Sequence, residues 1–172
     1  MVMRRAKLVN DVVDLVPIMY MFSTNLYKNV YSALLDGWYT IQELKERFGD
    51  GVEEALKILK SAGMLEVRWR MPKDPAGKPE KEYHVTYTHL NASFYISLID
   101  LNKVLEVIFM PEDEFEGLVK KIIEEIKAGR ISVQHISREL KLDPIVVRAA
   151  AKRSLKLNLK GNIVEVAEEV EI

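Results

Sequence analysis

The chain has 172 residues, of which 48% are hydrophobic and 30% are charged, and it contains no cysteine. This length suits one ordinary domain or two small ones, and the hydrophobic fraction excludes wholesale disorder. The lack of cysteine excludes disulfides, thiol catalysis and thiolate metal sites. The chain also has only two glutamines beside many Lys, Glu and Arg residues, a bias typical of heat-adapted proteins.

The first stretch of interest, residues 8–22, is rich in apolar side chains but is interrupted by Asn10, Asp11 and Asp14. A bilayer-spanning helix needs about 20 apolar residues. A signal peptide needs an uninterrupted apolar core and a small-residue cleavage site. We therefore expect a buried or dimer-forming segment in a cytoplasmic protein that does not contact a membrane.

Three helices are predicted next, over residues 24–36, 41–48 and 52–62. Ser23 or Thr24 can cap the first helix, and Gly37 can end it. Thr40 and Glu43 have the spacing of a capping box, which starts the second helix. The third helix is predicted from apolar residues at helical spacing.

A β-hairpin with a long polar tip follows these helices. Leu65, Val67 and Trp69 alternate with charged residues, which predicts a strand over 64–71, and the returning strand is predicted over 82–88. The loop between them, residues 72–79, holds three of the six prolines. Three helices followed by a hairpin, or wing, are typical of a winged helix-turn-helix domain.

The segment between the hairpin and residue 110 predicts one strand and one helix. Apolar residues alternate over 94–98, which indicates a third strand. Asp100 is expected to cap a helix that runs to Phe109, and the apolar face of that helix could form a two-fold seam between protomers.

A second, shorter copy of the plan follows residue 110. Helices are predicted over 111–128, 132–140 and 144–156, and a hairpin over 157–166. Asp143 followed by Pro144 is a strong helix start signal. The predicted fold class is therefore α+β, with tandem winged helix-turn-helix domains over residues 1–110 and 111–172.

Residues 23–87 resemble ArsR-like winged-helix transcription regulators of archaeal type. The resemblance is carried by residues 34–37 (Leu-Leu-Asp-Gly), by the helix pair 40–48 and 52–62, and by residues 59–65 (Leu-Lys-Ser-Ala-Gly-Met-Leu) leading into the wing. It implies a winged-helix fold and DNA binding. The metal-sensing Cys and His sites of that family have no counterpart here, so neither a metal nor another cofactor is expected.

Charge is unevenly distributed along a chain whose net charge is −1. Residues 127–160 hold nine basic and two acidic side chains, whereas residues 111–126 and 161–172 are acidic. Phosphate contacts dominate nucleic-acid affinity, so the basic block predicts DNA contact, with a solvated cationic face as the alternative. Helical spacing places four of its cations, with Ile145 and Ala149, on one arc of the predicted recognition helix 144–156. The candidate contacts are Arg148, Lys152, Arg153 and Lys156, flanked by Arg138 and Lys141.

The first domain offers a weaker candidate interface. Its predicted recognition helix, residues 52–62, presents Glu53 and Glu54 beside Lys57 and Lys60, so the outer arc has no net charge. We therefore take the wing as the second choice for backbone contact, against a merely solvated hairpin. Its candidate residues are Arg68, Arg70, Lys73 and Lys78.

Other chemistry has little support in the sequence. His84, His89 and His135 lie on different predicted elements, and no phosphate loop, nucleophile motif or catalytic carboxylate pair is present. The Met- and aromatic-rich residues of 19–31 could line a pocket for an effector of unknown identity, but such stripes are more typical of a core or a dimer interface.

The sequence thus predicts a non-enzymatic transcription regulator that binds double-stranded DNA as a homodimer. The alternative is a tandem winged-helix module that binds proteins and does not read DNA sequence, which the neutral first recognition helix and the acidic patches also fit.

Overall fold

The computed structural model describes residues 4–172, which form two compact units. The first unit contains the chain up to Leu8 and Met21–Ala92, and the terminal Ile172 is grouped with it. The second unit contains Val9–Tyr20 and Ser93–Glu171. This division differs from the sequence-based limit at residue 110, because residues 9–20 and 93–110 pack with the helices of the second unit.

The chain combines helices with short strands, in agreement with the predicted α+β class. The elements of the N-terminal half are β1 (Ala6–Val9), a 3-10 turn (Val12–Asp14), α1 (Leu15–Tyr20), α2 (Asn25–Asp36), β2 (Tyr39–Thr40), α3 (Ile41–Phe48), α4 (Val52–Ser61), β3 (Leu65–Arg70) and β4 (Glu80–Val85). The remaining elements are β5 (His89–Ala92), α5 (Leu98–Ile108), α6 (Glu112–Lys127), α7 (Val133–Leu140), α8 (Pro144–Arg153), β6 (Leu157–Lys160) and β7 (Ile163–Val166).

Within residues 4–172 the strands form three small sheets rather than one large one, and antiparallel pairing joins β2 to β4, β3 to β4 and β6 to β7. The sheet of the first unit has the order β2-β4-β3, with Leu65 opposite Val85 and Trp69 opposite Lys81. Strand β6 pairs with β7, and β1 pairs with β5. Each unit therefore carries three helices followed by a β-hairpin, namely α2, α3, α4 with β3–β4 and α6, α7, α8 with β6–β7.

Several predicted helix starts are confirmed at the level of individual hydrogen bonds. Thr24 accepts a bond from the backbone N–H of Tyr27, and Thr40 and Glu43 form the complete capping box. Asp143 caps α8 through the N–H of Ile145. The hydrogen bond from Lys103 also holds the pKa of the Asp143 carboxyl below its ordinary value.

Three local predictions are wrong. Residues 94–98 form no strand, and strand pairing occurs earlier, where β5 meets β1. Helix α5 begins after Ser97 rather than at Asp100, because the Ser97 hydroxyl accepts the Asp100 N–H and so acts as the cap. Helix α8 ends at Arg153 because Ser154 is extended, which leaves Lys156 outside the helix.

The first unit is held together by α2 and α4 against the sheet. Leu34 and Leu56 are fully buried, as are Leu59 from α4 and Tyr83 and Val85 from β4. These positions recur at helical spacing on the helices and at alternate positions on the strand, so periodicity alone accounts for this core.

The second unit is built around α8, which packs against the 3-10 turn, α1, α5, α6, α7 and β6. The run Ala149–Ala150–Ala151 is buried along with Val147, and its small side chains permit close approach from several directions. The prediction that Ala149 lies on an outward arc is therefore wrong. The 3-10 turn, α1 and α5 all pack against α8, which the sequence did not predict.

Arg153 lies inside this unit. Its guanidinium donates to the carbonyl oxygens of Val107 and Met110, both at 2.8 Å, and lies over the rings of Tyr20 and Phe115. The side chain is only 3% exposed, so the prediction that it lies on the outer arc of α8 is wrong. It instead satisfies carbonyl groups at the end of α5, which the helix itself leaves unpaired.

Replacing this side chain tests its role in packing. We expect Arg153→Leu to lower the free energy of unfolding by roughly 2–4 kcal/mol, because buried carbonyl oxygens lose their donors. Urea denaturation of the full chain measures the change, with the exposed Arg138→Leu as the matched control. A loss no larger than that of the control would contradict the anchoring role.

Candidate nucleic-acid interface

Arg148 points from α8 toward two other parts of the second unit. Its guanidinium lies 3.1 Å from the carboxylate Oδ2 of Asp11, which precedes the 3-10 turn. It also donates to the carbonyl oxygen of Gly161 and the side-chain oxygen of Asn162 at the tip of the β6–β7 hairpin. The side chain is 26% exposed, and its guanidinium is already engaged in an ion pair and hydrogen bonds within the second unit.

The next two cations of the predicted interface are also paired. Lys152 Nζ lies 3.0 Å from Oδ1 of Asp14 and is 31% exposed. Lys156 Nζ lies 2.6 Å from Oε2 of Glu116 on α6 but is 59% exposed. Of these two, Lys156 is therefore the more accessible to a phosphate group.

The flanking cations Arg138 and Lys141 are exposed on α7 and at its end. Neither forms an ion pair with any residue of 4–172. Lys141 has a backbone φ of 55°, in the left-handed region, where it ends α7. The structure thus leaves these two side chains presented to solvent, as the sequence predicts.

In the first unit, Arg68 and Arg70 of β3 both bind one buried carboxylate. The Nε atom of Arg68 lies 2.5 Å from Oε1 of Glu82, and that of Arg70 lies 2.6 Å from Oε2. Arg70 also pairs with Glu43 at the start of α3. The hydrogen bond from Arg70 is the largest cause that lowers the pKa of the Glu43 carboxyl.

An aromatic stack covers the same side of the hairpin. The Arg68 guanidinium lies 4.0 Å from the ring centre of Trp38, and Trp38 stacks on His84 at 4.9 Å. The two arginines therefore stabilise the base of the hairpin. This limits their availability for phosphate contact, although Arg68 keeps 55% of its side chain exposed.

The lysines at the tip of the hairpin differ from the arginines at its base. Lys73 and Lys78 are exposed, and neither is ion-paired within the described part of the chain. Trp69 and Met71 are 61% and 72% exposed on the opposite face of the hairpin from the paired arginines, and Lys81 Nζ lies 5.7 Å from the Trp69 ring centre. The apolar face of the hairpin thus continues past the core into solvent.

Sequence reasoning missed the exposed Trp69 as a candidate contact. The alternation of β3 indicates which residues share a face, but it does not tell where along the strand the covering helices end. Here Tyr83 is fully buried on the same face, while Trp69, nearer the tip, is uncovered.

Helix α4 presents the mixed charge that its sequence predicts. Glu53 and Glu54 lie exposed in its first turn, and Lys45 of α3 lies 2.6 Å from Glu53. That carboxylate is therefore already partly neutralised within the unit.

The remaining candidate features are packing elements. Met21 and Tyr27 are buried in the first unit, where Phe22 contacts Tyr31 edge-on and the Tyr31 hydroxyl donates to the backbone carbonyl of Tyr87. Residues 4–172 contain no group of three His, Cys, Asp or Glu side chains arranged to hold a metal ion. In the same range, no helix is long and apolar enough to cross a bilayer.

Comparison with known proteins gives one family match. The sequence matches the family described as ArsR transcriptional regulator over residues 9–168, which is most of the chain and extends through both units. A search among curated proteins finds no significant match.

The buried carboxylate of the hairpin predicts a pH-dependent stability. Burial raises the pKa of Glu82, but the hydrogen bonds from Arg68 and Arg70 outweigh it, so the pKa lies below its ordinary 4.5. The resulting stabilisation is complete above about pH 4.5 and is lost as the pH falls through the lowered folded-state pKa.

We therefore expect Glu82→Gln to lower the free energy of unfolding at pH 7 by roughly 1–3 kcal/mol and to flatten its decline below pH 4.5. Urea denaturation at a series of pH values measures both effects. Glu80→Gln, an exposed change on the same strand, is the control. Identical pH profiles for wild type and Glu82→Gln would exclude this carboxylate as a source of the acid sensitivity.

Proposed function

Because the chain belongs to the ArsR family of transcriptional regulators, we propose that it regulates transcription by binding duplex DNA through winged-helix units. The observation that carries this proposal is the family match over residues 9–168. The order of three helices and a hairpin in each unit supports it, since that order is typical of winged helix-turn-helix domains. We also propose that the protein acts in the cytoplasm, as is usual for transcription regulators of this family.

In the first unit, the proposed contact surface is the tip of the β3–β4 wing. Lys73 and Lys78 supply positive charge that no acidic side chain within residues 4–172 pairs with, and Lys81 adds a third cation beside Trp69. DNA attracts such side chains through its phosphates. The ion pairs that Arg68 and Arg70 make with the buried Glu82 hold the base of the wing, so we assign those two arginines mainly to positioning.

In the second unit, the proposed contacts are the accessible cations of the basic block. Arg138 and Lys141 are exposed and lie outside ion pairs in the described residues, and Lys156 is more than half exposed. Arg148 and Lys152 are already paired with carboxylates. Arg153 is left out of the proposed interface because it is buried.

We also propose that the chain forms a homodimer through α5. Leu98 and Phe109 are 82% and 59% exposed, and Leu105 between them is 37% exposed, so one side of the helix presents an apolar stripe. A two-fold axis lets the same stripe cover its copy and brings two DNA-binding surfaces to adjacent half-sites.

DNA binding is tested by fluorescence anisotropy with a random-sequence duplex at low and moderate salt. We expect binding that weakens steeply as salt increases, because several phosphate contacts release counterions. Absence of binding even at low salt would contradict the proposal. It would favour the alternative of a tandem winged-helix module that binds proteins.

The wing is tested by reversing the charges of the two exposed lysines at its tip. We expect Lys73→Glu with Lys78→Glu to weaken binding at least tenfold at low salt and to make its salt dependence shallower, because two phosphate contacts are lost. The matched control, Lys28→Glu with Lys121→Glu, reverses two exposed lysines elsewhere and changes the net charge equally. Equal weakening in both variants would mean that only the net charge matters.

The dimer is tested by placing charge on the α5 stripe. We expect Leu98→Glu with Phe109→Glu to convert the dimer to a monomer, since two carboxylates would be buried at the two-fold interface. Sedimentation equilibrium measures the mass, with Leu90→Glu on β5 as an exposed apolar control. A double variant that remains dimeric would place the interface elsewhere.

A further inference from the structure

The N-terminal segment Asp11–Tyr20 is fixed on α8 by apolar burial. Val13 and Val16 are 1% and 0% exposed within the core of the second unit, and Val12 is 8% exposed. The 3-10 turn and α1 both pack against α8. The segment is therefore an integral cover of this helix rather than a loose tail.

The segment also brings two carboxylates to the two central cations of α8. Asp11 and Asp14, three residues apart, pair with Arg148 and Lys152, which lie one helical turn apart. The distances are 3.1 and 3.0 Å. This arrangement places one negative charge against each cation, and a DNA phosphate would make the same kind of charge-assisted hydrogen bond.

Asp11 has two separable roles. Its Oδ1 atom accepts the backbone N–H of Val13 and so caps the 3-10 turn, while its Oδ2 atom faces Arg148. An asparagine can keep the capping acceptor while losing the negative charge. The electrostatic role can therefore be removed with the turn intact.

We propose that Asp11 and Asp14 form a built-in acidic cover that occupies the positions of DNA phosphates on α8 and keeps this helix from contributing to DNA affinity. The inference rests on the proposed DNA-binding function. In this arrangement the chain restrains its own basic helix, and its affinity for DNA comes from the other exposed cations. Arg148 and Lys152 are 26% and 31% exposed, so loss of the carboxylates leaves both reachable from solvent.

The direct test is the variant Asp11→Asn with Asp14→Asn, titrated with the same random-sequence duplex. We expect tighter binding at low salt. Each new phosphate contact adds about 0.9 to the slope of log affinity against log salt. Two contacts would therefore increase the loss of affinity between 50 and 200 mM salt by roughly tenfold.

The matched control is Asp113→Asn with Glu114→Gln, which makes the same change in net charge at two exposed positions in the first turn of α6. A second comparison adds Arg148→Gln and Lys152→Gln to the cover variant. The gain in affinity should disappear, because the cations that the cover releases are no longer present. Asp14→Asn alone leaves the Asp11 cap untouched and should give about half of the change in salt slope.

The outcomes separate this inference from the proposed function. If wild type and all variants fail to bind DNA, the proposed function is wrong. If wild type binds and the cover variant gains no more than the α6 control, the carboxylates do not restrain α8 and the inference is overturned. A gain that persists without Arg148 and Lys152 would overturn it equally.

Discussion

The second unit depends on the packing of α8 against the elements around it. The small side chains of its alanine run allow the N-terminal segment, α5, α6 and α7 to approach closely. The buried Arg153 donates a hydrogen bond to the Val107 carbonyl oxygen near the end of α5. Guanidinium burial is tolerated because carbonyl oxygens, two aromatic rings and the carboxylate of Glu112 surround the group. Helix α8 is therefore the core helix of the second unit. Its cations are consequently drawn into contacts within the unit.

In the first unit, too, some of the basic residues are paired with carboxylates of the same unit. Glu82 binds Arg68 and Arg70 together, so two of the four cations predicted for the wing stabilise its base. The lysines at the tip keep their charge available, and the exposed Trp69 lies nearby on the strand. Each unit thus has paired basic residues that fix the structure and exposed basic residues that can meet DNA, and Lys156 of the second unit is both paired and exposed. The proposed interface consists of the exposed residues.

Sequence reasoning succeeded where the determining interaction is local. The Thr40 capping box, the Thr24 and Asp143 caps and both hairpins follow from residues a few positions apart. It failed for the outer side of α8, because Asp11 meets Arg148 across a separation of 137 residues. Helical spacing predicts which residues share a face, and a remote segment decides whether that face is free. The sequence therefore identified the basic residues of α8, but it did not predict the carboxylates that pair with them.

The central claim is that DNA meets the exposed wing of the first unit, while the core of α8 stays covered. Hydroxyl-radical footprinting with mass spectrometry tests it directly, because Trp69 and Met71 are exposed side chains with high radical reactivity. The prediction is that duplex DNA protects both of these side chains and leaves the labelling of Tyr95 in the second unit unchanged. Bound DNA that leaves Trp69 and Met71 fully reactive would contradict the claim.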